Sequence, residues 1–173
     1  MKNFMTMMAA VTFTFVANAA VASSTSNDGS YITVGIAPLC TAEGQITLSF
    51  TNVSGQHLLV DPHYMDKSKF DPIYAGLSLY TDPEGQAINL KYKAKPNYEQ
   101  YDWYVLKVGE TVEHIVDFRG YATTTIDETL HYAPLFSGNN INLITTNKGK
   151  EIRLFMHTDD ESDFDIFGPE CWK

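Results

Sequence analysis

Three groups of residues in this chain carry side chains able to do chemistry, and each has a plainer reading beside the functional one. The first is the run from residue 158 to 170, Thr-Asp-Asp-Glu-Ser-Asp-Phe-Asp-Ile-Phe-Gly-Pro-Glu. Asp159, Glu161, Asp163 and Asp165 fall at positions 1, 3, 5 and 7 of a calcium-loop register, with Glu170 at position 12. Alternating oxygen ligands suit a hard cation. Phe164, however, stands where such a loop needs glycine for its sharp turn, and no helical pattern flanks the run. An acidic, solvated tail pinned by Cys171 is the reading the residues favour, with calcium as the alternative. The second group is His114, which shares one face of its segment with Val112, Val116 and Phe118. An imidazole among apolar neighbours is a ligand, a base, or a core histidine bonded to one backbone group, and the last is the commoner arrangement. His57, His63, His131 and His157 stand at no metal-ligand spacing, and turn or surface positions account for them.

The third group spans residues 91–104, where Lys91, Lys93 and Lys95 precede Tyr98, Tyr101, Trp103 and Tyr104. Aromatic side chains offer large, stiff contact area and are enriched where proteins grip partners. Tyr98, Tyr101, Trp103, Lys93 and Lys95 are therefore the candidate partner-binding residues. The competing reading makes Trp103 and its neighbours core or edge-strand residues, with the lysines discouraging edge-to-edge pairing. Asn52-Val53-Ser54 matches a glycosylation acceptor, although turn chemistry explains it without a glycan.

Elsewhere the chain lacks the patterns that catalysis or cofactor binding leaves. There is no Gly-x-Ser-x-Gly, no glycine-rich phosphate loop, no His-Glu-x-x-His and no Cys-x-x-Cys. The expectation is a non-catalytic protein without a cofactor.

Compartment follows from the N-terminus. Lys2, a mostly apolar run over residues 7–16, and Ala20-Val21-Ala22 read as a signal peptide over residues 1–22, too short in its apolar part to span a bilayer. The chain is expected to be exported, periplasmic or extracellular, without membrane insertion. Residues 23–30, rich in serine, read as a flexible leader, and residues 31–173 as a single domain. The whole chain carries a formal charge of −9, and losing Lys2 makes it −10. Such acidity repels phosphate backbones and argues against nucleic acid; a basic protein partner would be attracted. Cys40 and Cys171 are the only cysteines, and in an oxidising compartment an isolated pair joins as a disulfide.

Period-2 alternation sets the architecture. Ile46, Leu48 and Phe50 alternate with polar residues before the turn chemistry of Asn52 to Gly55, and residues 57–60 are expected to return as a hairpin partner. Residues 76–81 and 86–92 flank Asp82-Pro83-Glu84-Gly85 as a second hairpin, and residues 103–108 and 111–118 flank Gly109-Glu110 as a third. Residues 31–36, ended by Pro38, and a strand carrying Ile152, Leu154 and Met156 bring the total to seven or eight. Asp61-Pro62 and Asp71-Pro72 bracket a polar connection. No helical period persists beyond ten residues. The sequence thus predicts an all-β, antiparallel, immunoglobulin-like β-sandwich with one disulfide.

The third hairpin also carries a resemblance. Residues 104–112, Tyr-Val-Leu-Lys-Val-Gly-Glu-Thr-Val, followed by Ile115-Val116-Asp117-Phe118 and Tyr121, resemble the Leu-x-Pro-Gly-Glu-Ser-Val…Val-Asp-Leu…Tyr pattern of an immunoglobulin-like module. That module occurs in the pro-region of peptidyl-Lys metalloendopeptidases and in related bacterial secreted sandwich proteins. The Leu48 to Gly55 turn and Ala87-Ile88-Asn89-Leu90 are similar to further parts of it, over about residues 46–121, with Val108 where the module has proline. The resemblance implies a fold and an inhibitory or accessory role, not catalysis. Past Tyr121 residues 122–150 read as an insertion, and together with 91–104 they are where a partner is expected to be gripped. Two functions follow: a protein-binding module that inhibits or neutralises a secreted hydrolase or toxin, or a carbohydrate- or envelope-binding module, with or without calcium.

Overall fold

The computed structural model describes residues 24–26, 31–95, 102–146, 149, 151–157 and 166–173, with backbone alone for 24–26, 138–140 and 151–157. The expected signal peptide at 1–22, Tyr98, Tyr101, Asp159, Glu161, Asp163 and Asp165 lie outside the described residues.

Nine strands, one short α-helix and two single-turn 3-10 helices (Phe118–Gly120 and Pro169–Cys171) are present among the described residues: β1 (Ser24–Ser26), β2 (Ile32–Thr41), β3 (Gly44–Asn52), β4 (Leu58–Val60), α1 (Pro62–Met65), β5 (Leu77–Asp82), β6 (Tyr104–Leu106), β7 (Thr111–Val116), β8 (His131–Thr145) and β9 (Glu151–His157). They form an all-β fold of two sheets. One runs β1-β9-β8-β4-β6, with β5 pairing the first half of β8; the other is β2-β3-β7. All pairings are antiparallel except β1 with β9. β1 lies within the segment expected to be a flexible leader.

The alternation that predicted strands also predicted their buried faces. Ile46, Leu48 and Phe50 of β3 are fully buried, as are Leu79 on β5 and Phe136 on β8. Phe50 meets Phe136 edge-on, ring centres 5.6 Å apart, and so joins the two sheets. Tyr132, Phe167 and Trp172 close the far end of the core, where Cys171 is bonded to Cys40.

Pairing departs from expectation. The strands flanking the Asn52 turn do not form a hairpin: β3 pairs with β2 and β7 in one sheet, whereas β4 pairs with β6 and β8 in the other. The strands flanking Gly109-Glu110 separate in the same way, β6 to β4 and β7 to β3. Both connections are arches that cross from sheet to sheet. The cause is visible at Asn52, which is buried. Its Nδ2 lies 2.8–3.0 Å from the carbonyls of Gln56, Leu106 and Lys107, and its Oδ1 accepts from Ser54 N and Oγ. One side chain thereby ties both arches together, and Gly109, at φ +70°, donates its N–H to Asn52 O. With its amide nitrogen spent inside the fold, Asn52 serves the turn and not a glycan.

The second hairpin survives as a single bridge, Tyr80 with Ala87, while Leu90 bridges to Ala122. Residues 122–150 are not an insertion: they contain β8, the longest strand and the centre of the larger sheet. The connection bracketed by the two Asp-Pro pairs is largely buried. Asp61 caps α1 by accepting from His63 N, and His63 Nδ1 sits 2.8 Å from Asp61 Oδ1, so His63 belongs to the interior and not to a surface turn. β2 runs through Pro38 instead of ending before it.

Candidate functional site

The arches decide where the sandwich is open. β6 ends the larger sheet and β7 ends the smaller one, both on the same side of the sandwich, and α1 with the turn after it lies over the gap between them. There a cleft of about 400 Å³ is lined by Met65, Asp66 and Lys67 on one side and by Tyr104, Glu110, Thr111, Val112 and Glu113 on the other. Three carboxylates face one ammonium in that lining, which leaves the cleft acidic.

Each charged group is held by local backbone geometry. Asp66 ends α1, and its Oδ1 accepts from Ser68 N (2.9 Å) and Ser68 Oγ (2.7 Å); these bonds hold its carboxyl below the usual carboxylate range. Glu110 closes the β6–β7 arch by accepting from Lys107 N at 2.7 Å through Oε2, while Tyr104 reaches its Oε1 at 3.4 Å. Burial, then the negative charges of Glu110 and Asp66, raise the Tyr104 phenol above its ordinary value, so it remains a neutral donor. Glu113 is exposed, and Val112 and Met65 supply an apolar floor. A lysine or arginine side chain suits such a lining: its stem packs on the apolar floor and its head meets the carboxylates.

His114 lies beneath this cleft as a core histidine, not a ligand. It stacks on Phe70 with ring centres 3.8 Å apart, and its Nε2 donates to Tyr64 O at 2.9 Å. Burial, reinforced by Lys67, lowers its pKa despite that bond. Because the folded value lies below the unfolded one, the unfolded chain binds more protons as acidity rises. His114's contribution to stability is complete above about pH 6.5 and is lost as pH falls through its depressed value. An NMR titration is expected to place its midpoint below about 6.5, the ordinary value for a histidine. A H114Q variant is expected to unfold with a shallower acid dependence over that range.

No family model, curated protein or solved structure matches this chain. Its function is therefore read from the site alone.

Of the residues singled out in the sequence, Lys93 and Lys95 are exposed and lean on the chain's own aromatics, Lys93 Nζ 4.2 Å from the Tyr121 ring centre and Lys95 Nζ 5.7 Å from that of Tyr92. Asp71 anchors this segment by accepting from Lys93 N and Ala94 N through Oδ2. Trp103 is half-buried just before β6, and Tyr104, alone among the described residues of the 91–104 stretch, lines the cleft. Glu170, the one described member of the calcium register, accepts from Gly168 N beside the disulfide. Asp66, Lys67, Glu110 and Glu113 were not singled out as binding residues. They come from the β6–β7 arch with the start of β7 and from a helix end, and no spacing in the chain announces that these segments meet.

Proposed function

We propose that the chain is an exported, non-catalytic module of immunoglobulin-like type that binds a basic segment of a protein partner and thereby inhibits or neutralises a secreted hydrolase or toxin. The observation that carries this reading is the acidic cleft where two sheet edges open side by side, bordered by exposed apolar residues. Val53 and Val108 project near the arches, Val105 from β6 and Ile115 from β7, each about half exposed. Apolar contact bordered by charge of one sign is what a specific protein interface offers a partner of the opposite sign. The acidity of the whole chain adds long-range attraction.

The test is capture of partners from exported proteins and cell-envelope extract, followed by affinity measurement on the captured species. Glu113→Lys is expected to weaken binding roughly tenfold, equivalent to about 1.4 kcal/mol, and Lys67→Glu to strengthen it. Binding should also weaken with added salt. An affinity indifferent to both substitutions and to salt, or no partner at all, removes the reading.

A second reading rests on a different surface. Tyr74 and Tyr92 are both exposed and meet edge-on, ring centres 5.7 Å apart, with Lys95 above Tyr92. Such a platform suits a sugar ring, and a glycan array probed with and without chelator tests the carbohydrate reading together with its use of calcium. Binding lost in Tyr92→Ala supports it, and a blank array removes it.

A further inference from the structure

β7 offers more than one wall of a cleft. It is the last strand of its sheet, so one side of its backbone has no strand partner among the described residues. The hydrogen-bond phase shows which groups lie on that side. Asn52 N donates to Glu110 O and Gly109 N to Asn52 O, so the even-numbered residues of β3 direct their peptide groups at β7. Their partners in register are Val112, His114 and Val116. Antiparallel ladders alternate, so the N–H and C=O groups of Thr111, Glu113 and Ile115 point away from β3 to the open edge. All three residues are exposed, and the first two line the cleft.

The other end of this sheet is less inviting. The same alternation turns the peptide groups of Ile32, Val34, Ile36 and Pro38 outward from β2, but Ile32 is buried and Pro38 has no N–H to give. β7 presents three consecutive outward pairs without a proline, and Glu113 stands in the middle of them.

We infer that β7 is a strand-addition edge: an extended basic segment of the partner pairs with Thr111, Glu113 and Ile115 and sets a lysine or arginine against Glu113 and the cleft. Main-chain bonds to an open edge supply general affinity, and side-chain pockets at alternate positions supply selectivity. Charge decides the occupant. A second copy of this chain would bring another Glu113-bearing edge and a net charge of −9 to a surface already negative, and like charges across a ladder disfavour pairing. A basic strand meets the opposite sign at the centre of the edge. This inference rests on the acidic-cleft reading and adds to it the backbone mode of binding.

The experiment uses the purified chain with its disulfide closed and two probe peptides, one of alternating valine and lysine and one with glutamate for lysine. Amide hydrogen exchange is followed residue by residue. The basic peptide is expected to slow exchange at Thr111, Glu113 and Ile115 by at least tenfold, to leave Val112, His114 and Val116 unchanged, and to lose its effect in high salt. The acidic peptide should do nothing to the native chain but should protect the same three amides in Glu113→Lys, whose fold is checked by the thermal melt and the His114 titration. Salt-sensitive binding of the basic peptide without protection of those amides overturns strand addition and leaves the acidic cleft standing. Absence of binding by the basic peptide, when the captured partner still binds in a Glu113-dependent way, likewise overturns strand addition alone. Protection of the three amides before any peptide is added shows the edge already covered and overturns the inference.

Discussion

Replacing Cys40 and Cys171 together by serine is expected to destabilise the domain by about 5 kcal/mol. The bond joins residues 131 positions apart, and the chain-entropy model values closure of a loop of that length at about 5 kcal/mol, by confining the unfolded chain. The bridge also fixes the end of β2 to the C-terminal segment. There Phe167 bonds Tyr132 through paired backbone groups, and Trp172 packs edge-on against the same ring. Without the bridge this segment retains those contacts, but it no longer enters the unfolded state already tethered. Domains of this size typically have only about 5–15 kcal/mol to lose, so the double-serine chain is expected to be mostly unfolded in mild urea where the native chain is intact. Paired denaturation curves in oxidising and reducing buffer measure the difference. Coincident curves would show that the bridge contributes nothing to stability.

The second large effect is expected at Asn52. Asn52→Ala removes the amide that approaches the carbonyls of Gln56, Leu106 and Lys107, and the oxygen that accepts from Ser54. Each buried polar group left without a partner costs about 1–3 kcal/mol. Several are orphaned together in two arches that water partly reaches, and the combined loss is expected at about 3–5 kcal/mol. At about 2–4 °C per kcal/mol for a chain of this length, the melting midpoint should drop by roughly 10 °C. Asn52→Asp tests the donor specifically: it keeps the shape and the Ser54 contact but turns a carboxylate toward the carbonyls, so it should be no better tolerated than alanine. Ser54→Ala, which leaves the amide contacts to the carbonyls of both arches intact, should cost much less. Equal melting points for Asn52→Ala and Ser54→Ala would show that the asparagine does not join the arches.

The same residue also marks how far the sequence could be read. Alternation identified β3, β5 and β7 and assigned Ile46, Leu48, Phe50, Leu79, Val112 and Val116 to the interior, because a period of 2 is a local property of an extended chain with one face buried. His114 could be placed there on the same grounds. Partnership between strands is not local. A turn rich in asparagine, serine and glycine serves a hairpin and a sheet-crossing arch equally well, so the sequence by itself predicts hairpins for β3–β4 and β6–β7. In the structure Asn52 bonds to carbonyls 54 and 55 positions away in the chain, and no window of sequence contains both ends. β8 was missed for a related reason: residues 131–145 include Pro134 and Gly138 and pair with three different strands along their length, so no single alternation runs through them.

Composition alone established the acidity of this protein and the two cysteines available to close it, since these depend only on which residues are present, and residue order alone excluded the known catalytic and phosphate-binding motifs. The sequence pattern likewise determined that it would be built of strands and which side chains those strands would bury. Only the tertiary structure decided that β6 and β7 end their sheets side by side, that Asp66, Glu110 and Glu113 share one cleft with Tyr104, and that the peptide groups of β7 without a strand partner among the described residues belong to its exposed residues. The physical reason is that a sheet edge is defined by the strand that is not there. Its identity depends on every pairing in the molecule, whereas the alternation of a strand depends only on itself.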